Sequence, residues 1–125
     1  MIKIFTNKEI YNFYFLINEN IIKENIILPV GINFAIQKNF TLLVGLSEEI
    51  EKIKQKICAQ NGNYIPEDNS FKIDKDKIES TQQQLDDLMA IKQEVKIHTI
   101  KLEDLENIQL TSKQMQALLF MIEDE

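Results

Sequence analysis

Arginine and tryptophan are absent from this chain; it has one cysteine and one histidine, and only three glycines and two prolines interrupt its 125 residues. Each shortage excludes something. All fourteen basic residues are lysine. The planar, two-pronged grip of a guanidinium on phosphate or guanine is therefore missing, which argues against sequence-specific nucleic-acid binding, although lysines still suit one small anion. Cys58 has no partner for an internal disulfide. With no signal peptide and no apolar run near the roughly twenty residues of a membrane span, no membrane association and a cytoplasmic location are expected. Gly31, Gly45 and Gly62 are too scattered to build a phosphate-cradling loop. No cysteine pair, histidine pair or acidic calcium loop gives metal-ligand spacing, so neither metal nor cofactor is expected. A nucleophile and its base have no evident members, so no catalytic residue is assigned and a non-enzymatic role follows.

What is present is mostly apolar and helical. An apolar content of 44 % is enough for one core, so residues 1–125 read as a single domain. The net charge of −6 fits either ordinary solubility or a basic partner. Thr6 and Glu9 have capping-box spacing and open a first helix, which carries Ile10, Tyr11, Phe13, Tyr14, Phe15, Leu16 and Ile17 around nearly its whole circumference. That helix reads as core, with stacking on a nucleobase as the other use of its rings. Asn18 to Leu28 is expected to hold a turn and a short extended piece. From Pro29 a long helix runs from about Val30 to Gln60, closed by Asn61-Gly62 in left-handed geometry. Ile32, Ile36, Asn39, Leu43, Leu46, Ile50, Ile53 and Ile57 step along it as a heptad seam. Asn39 on the seam and Gly45 beside it point either to a specified partner contact or to a place where the seam meets a turn or water. On the first view, Asn39→Leu strengthens the helix pair and loosens its oligomer specificity.

Tyr64 to Ile73 reads as a hairpin, and Asp74 to Lys92 as a second helix folding back antiparallel on the first. Val95 to Leu102 alternates as a strand able to pair with Met1–Phe5. Thr111 and Gln114 form another capping box, opening a helix whose run Ala117 to Ile122 is continuously apolar before the acidic end Glu123-Asp124-Glu125. The fold class expected is α+β: a long antiparallel helical hairpin with a small β-sheet and a docked C-terminal helix, self-associating as a homo-oligomer. Cys58 reads as a small core hydrophobe, and His98 as a structural strand residue or, with Lys96 and Lys101, a weak anion site.

An early capped helix, the Ile-Leu-Pro-Val lead-in to a long helix with Ala35-Ile36 and Lys38-Asn39, the hairpin near Tyr64 to Ile73, the block Ile100 to Asn107 and the block Leu118 to Glu123 together resemble a family of short proteins encoded in phages and prophages of Gram-positive bacteria. That family has no assigned activity and hands down no functional residue. The resemblance implies a setting in the host bacterial cytoplasm and two classes of work. One is countering antiviral defence, by sequestering a nucleotide signal such as a cyclic nucleotide or by binding a defence effector protein; the other is virion assembly or a structural interaction. The first is preferred. Its ligand contacts would come from Lys38, Asn39, Lys96, His98 and Lys101, and its subunit interface from Ile36, Asn39, Leu43, Leu46, Leu119 and Phe120.

Overall fold

A computed structural model describes residues 1–123. Asp124 and Glu125, and with them most of the acidic end, lie outside the described residues. In chain order come β1 (Ile2–Thr6), α1 (Asn7–Ile17), α2 (Val30–Asn61), β2 (Gly62–Ile65), β3 (Ser70–Ile73), α3 (Ile78–Ala90), β4 (Lys92–Lys96) and α4 (Ser112–Leu118). The class is α+β, and the described strands form two small antiparallel sheets, β1 with β4 and β2 with β3. Among the described residues no helix is long and apolar enough to cross a membrane.

Both predicted capping boxes form. The Thr6 hydroxyl accepts the Glu9 N–H at 3.1 Å while the Glu9 carboxylate accepts the Thr6 N–H at 3.0 Å, and Thr111 and Gln114 repeat the exchange at 3.1 and 2.9 Å. Each box satisfies two backbone donors that a helix start leaves orphaned. The hairpin β2–β3 turns the chain from α2 into α3, which returns along the C-terminal half of α2; the Asn61 amide donates to Gln84 at 2.9 Å. α1 lies across α2 and α4. Its Phe13 stacks on Phe120 with ring centres 4.7 Å apart and meets Phe5 edge-on at 4.8 Å. The Lys3 ammonium donates to the carbonyls of Phe120 at 2.9 Å and Ile122 at 3.4 Å, so β1 holds the last turn of the chain by charge as well as by packing.

Two buried asparagines fix β4 from both ends. Asn7 donates its side-chain amide to the Leu88 carbonyl at 2.8 Å and accepts from Gln93 at 2.6 Å. Asn39, fully buried, grips the peptide of His98: its amide nitrogen donates to the His98 carbonyl and its oxygen accepts the His98 N–H, both at 2.8 Å. The amide thus acts as a one-residue strand, supplying the donor and acceptor that a neighbouring backbone would.

Several expectations need correction. The turn that follows α1 begins as a helix rather than as a simple turn. Asn18–Ile22 is a π-helical turn, closed by the Lys23 N–H on the Asn18 carbonyl at 3.0 Å and ended by Asn25 at φ 48; the wider turn is reinforced by the Asn20 amide on the Leu16 carbonyl at 3.0 Å. Gly62 is not a left-handed cap. Its φ of −167 is extended, and glycine is required instead because a Cβ there would stand 2.1 Å from the Lys72 carbonyl oxygen across the hairpin. The strand is Lys92–Lys96 rather than Val95–Leu102, and Lys92 leaves the second helix to join it.

The seam also drifts. Ile32, Ile36, Asn39, Leu43 and Ile50 are buried as expected, but Ser47 takes the buried place assigned to Leu46, and Ile53 is exposed. A straight helix turns about 20° per heptad away from a 3.5-residue repeat, so the buried stripe moves off the heptad positions within three heptads. The seam closes inside one chain: Ile36, Asn39, Leu43 and Phe120 are covered by their own polypeptide and are not surface available to a second subunit. Of the expected interface, Leu119 is exposed and Leu46 half-buried. Cys58 is half-buried, outside the main core.

Gly45 has no close approach to explain it, because an added Cβ would meet nothing within 4 Å. Gly45→Ala should therefore stabilise the fold by about 1 kcal/mol through helix propensity alone, a rise of roughly 3–5 °C in melting temperature. Thermal unfolding of the variant checks this, and a lower midpoint would mean that the position serves a contact.

Candidate functional site

Pro29 fixes the start of α2 and leaves its first turns facing solvent. Val30 and Phe34, one turn apart, are 86 % and 57 % exposed, and Ile27 just before them is 97 % exposed. Three large apolar side chains so close together in chain and so open to water are unusual for a surface with no partner. Lys38 follows one turn on, its ammonium 5.5 Å from the centre of the Phe34 ring, and the His98 ring meets Phe34 edge-on at 6.1 Å and 89°. His98 can stand there because Asn39, on the inward side of the same helix, grips its backbone. One helix thus supplies the aromatic face and its cation, and from its opposite side positions the imidazole.

Beside Phe34 opens a cleft of about 430 Å³, floored by Ile36 and walled by the π-turn, with the amides of Asn25, Asn33 and Gln37 on its rim. A second cleft, about 520 Å³, lies between the start of α2 and the segment after β4 and is lined by Lys101, Asp104 and Glu123 among others.

Of the ligand-binding residues expected from sequence, the structure therefore gathers Lys38, Asn39 and His98, with Asn39 as a positioning residue rather than a contact. Lys96 and Lys101 do not join them. Lys96 projects from the outer face of the two-stranded sheet, opposite Ile2. Lys101 faces the second cleft among carboxylates, its N–H on the Asp104 carboxylate at 3.0 Å. Neither first-helix aromatics nor the heptad ladder pointed to Phe34, Asn25, Asn33 or Gln37. The signal available was a phenylalanine off the buried stripe and four residues before a lysine.

A separate polar contact joins α1 to α2. The Tyr11 hydroxyl donates to the Glu51 carboxylate at 2.8 Å, and the Lys54 ammonium lies 5.4 Å from the Tyr11 ring centre. Burial, followed by this hydrogen bond, pushes the Tyr11 phenol well above its usual range, while hydrogen bonds from Gln55 and Tyr11 hold Glu51 below the usual carboxylate range. A phenol whose folded-state pKa is raised contributes stability that is fully present below its unfolded pKa of about 10 and is lost as pH climbs beyond it. Tyrosinate absorbance should show Tyr11 ionising only with alkaline unfolding, and Tyr11→Phe should move that unfolding to higher pH. Ionisation of Tyr11 while the chain remains folded would contradict this.

Among the described residues no group of three or more histidine, cysteine, aspartate or glutamate side chains is gathered to hold a metal ion. The chain matches no protein-family model, no characterised protein and no solved structure.

Proposed function

We propose that this is a non-enzymatic binding protein of phage or prophage origin that counters bacterial antiviral defence by capturing a small nucleotide signal at the Phe34 face of α2. The observation that carries the reading is the exposed Phe34 ring flanked by the Lys38 ammonium and the His98 imidazole: an aromatic surface for a base with a cation and a ring N–H beside it for a phosphate. The origin rests on the resemblance described above. Self-association belongs to the same reading and would use exposed groups such as Leu119.

Native mass spectrometry of the protein purified from cells carrying active defence systems tests this, since one spectrum reports both stoichiometry and retained mass. A retained mass of one nucleotide per site, together with a rise in melting temperature on adding the same nucleotide, is the expected result. Ligand at a hundredfold excess over its Kd stabilises by about 2.7 kcal/mol. A bare species whose midpoint does not move across a panel of cyclic nucleotides would overturn capture. It would favour a second reading, supported by the exposure of Ile27 and Val30 next to Phe34, in which this face covers a defence effector protein. A stable complex with a tail or capsid protein and unchanged defence would instead assign the chain to virion assembly.

A further inference from the structure

We infer that β1 is a docking edge for a second copy of this chain, the two β1 strands pairing antiparallel across a two-fold axis so that β4, β1 and their copies form one continuous sheet. The inference rests on the self-association in the proposed reading, gives it a surface, and needs no nucleotide. The Ile97 N–H donates to the Met1 carbonyl and the Asn7 N–H to the Ile91 carbonyl, both at 2.9 Å, at the two ends of the β1–β4 register. Because the residues of an antiparallel pair bond alternately, Met1, Lys3, Phe5 and Asn7 turn their peptide groups toward β4, and Ile2 and Ile4 turn theirs away from it. Among the described residues nothing bonds to the N–H or the carbonyl of either isoleucine. Their side chains, each 64 % exposed, form an apolar row on the outer face of the sheet.

The far edge of β4 carries Lys92, Glu94 and Lys96, all exposed, and charges so placed keep a foreign strand away. β1 has no such guard, and neither a proline nor a bulge interrupts it. Its one charged side chain, Lys3, turns inward and is engaged by the carbonyls of Phe120 and Ile122 of its own chain. The open groups are also self-complementary. With the axis at Lys3, Ile2 of one copy stands opposite Ile4 of the other, so both free donors and both free acceptors of each strand find partners, and each isoleucine packs on an isoleucine of the other copy. That match of one strand to itself selects a second copy over an unrelated strand.

The experiment is sedimentation velocity of the full chain, without nucleotide, from about 10 μM to about 1 mM, beside hydrogen exchange read amide by amide at both ends of that range. Dimer should accumulate with concentration, as a contact of one strand pair lies at the small end of specific interfaces. The Ile2 and Ile4 amides should become protected in step with it, while those of Glu94 and Lys96 stay fast. Ile4→Lys lies on the outer face opposite Glu94 of its own sheet, so it keeps the fold. It removes both isoleucine pairs of the dimer and should weaken association about tenfold. A dimer in which Ile2 and Ile4 still exchange freely, or one broken by Leu119→Lys and not by Ile4→Lys, overturns the edge and leaves self-association standing. A monomer throughout the range overturns both and leaves nucleotide capture to its own test.

Discussion

Asn39→Leu is expected to cost the fold about 3 kcal/mol, even though it exchanges a buried amide for a hydrocarbon side chain of similar size. The heptad argument predicts the opposite sign, because an asparagine on an apolar seam spends stability on pairing specificity. The structure decides between them. Both halves of the Asn39 amide are bonded to the His98 peptide at 2.8 Å, and leucine would leave that N–H and carbonyl without partners. An unpaired buried group costs about 1–3 kcal/mol, so two cost about 2–6 kcal/mol; His98 is itself exposed, so water recovers part of the loss and the sum falls in the lower half of that span. The melting temperature should drop by roughly 10 °C. Hydrogen exchange at the His98 amide should accelerate in parallel, and nucleotide affinity should fall because the imidazole beside Phe34 loses its anchor. A melting temperature equal to or above that of the parent chain would refute the clamp.

Phe120→Ala should be at least as damaging, at about 3–5 kcal/mol, the usual cost of deleting a buried ring. The ring stacks on Phe13 at 4.7 Å and lies 6.4 Å from Phe5, joining the end of the chain to both α1 and β1, and the surrounding backbone has little freedom to collapse into the void. Its partners belong to the same polypeptide, so the variant should unfold at lower urea without an altered dependence on protein concentration. Sedimentation run beside the denaturation separates this from a role in subunit contact, which would release a smaller, still folded species.

The two capping boxes were legible because each is complete within four residues, and the β1–β4 pair because alternation exposes it. The hairpin was legible from Pro66 to Asn69, where Asn69 takes the left-handed geometry that closes the turn. The π-turn was not, since its wider hydrogen bonding leaves no mark in hydrophobic spacing. The partner of Asn39 lies 59 residues away, and no periodicity within a helix reveals it; an asparagine on a seam looks the same whether it faces a second helix or a backbone. The grouping of Lys96, His98 and Lys101 failed for a related reason. Closeness in sequence is not closeness in space: β4 ends at Lys96, opposite Ile2 of β1, while the His98 peptide beyond it is held by Asn39 of α2 and Lys101 faces the second cleft. Lys38 and His98, by contrast, come from distant stretches of sequence to one ring.

The hold of Lys3 on the carbonyls of Phe120 and Ile122 joins residues 117 and 119 positions apart, and this bears on how the protein is made. β1 and α1 are synthesised well before β4 and Phe120, the strand and the ring that cover them. At the usual 5–20 residues per second, the aromatic face of α1 waits roughly ten seconds for its cover. During that interval the nascent chain offers Phe13 and its neighbours to chaperones, while α2, whose backbone bonds are local, can already form. Closure of the Lys3 contact therefore has to wait for Phe120 and Ile122 to be synthesised, and synonymous changes that slow translation between α1 and α4 would lengthen the exposure without altering a single residue.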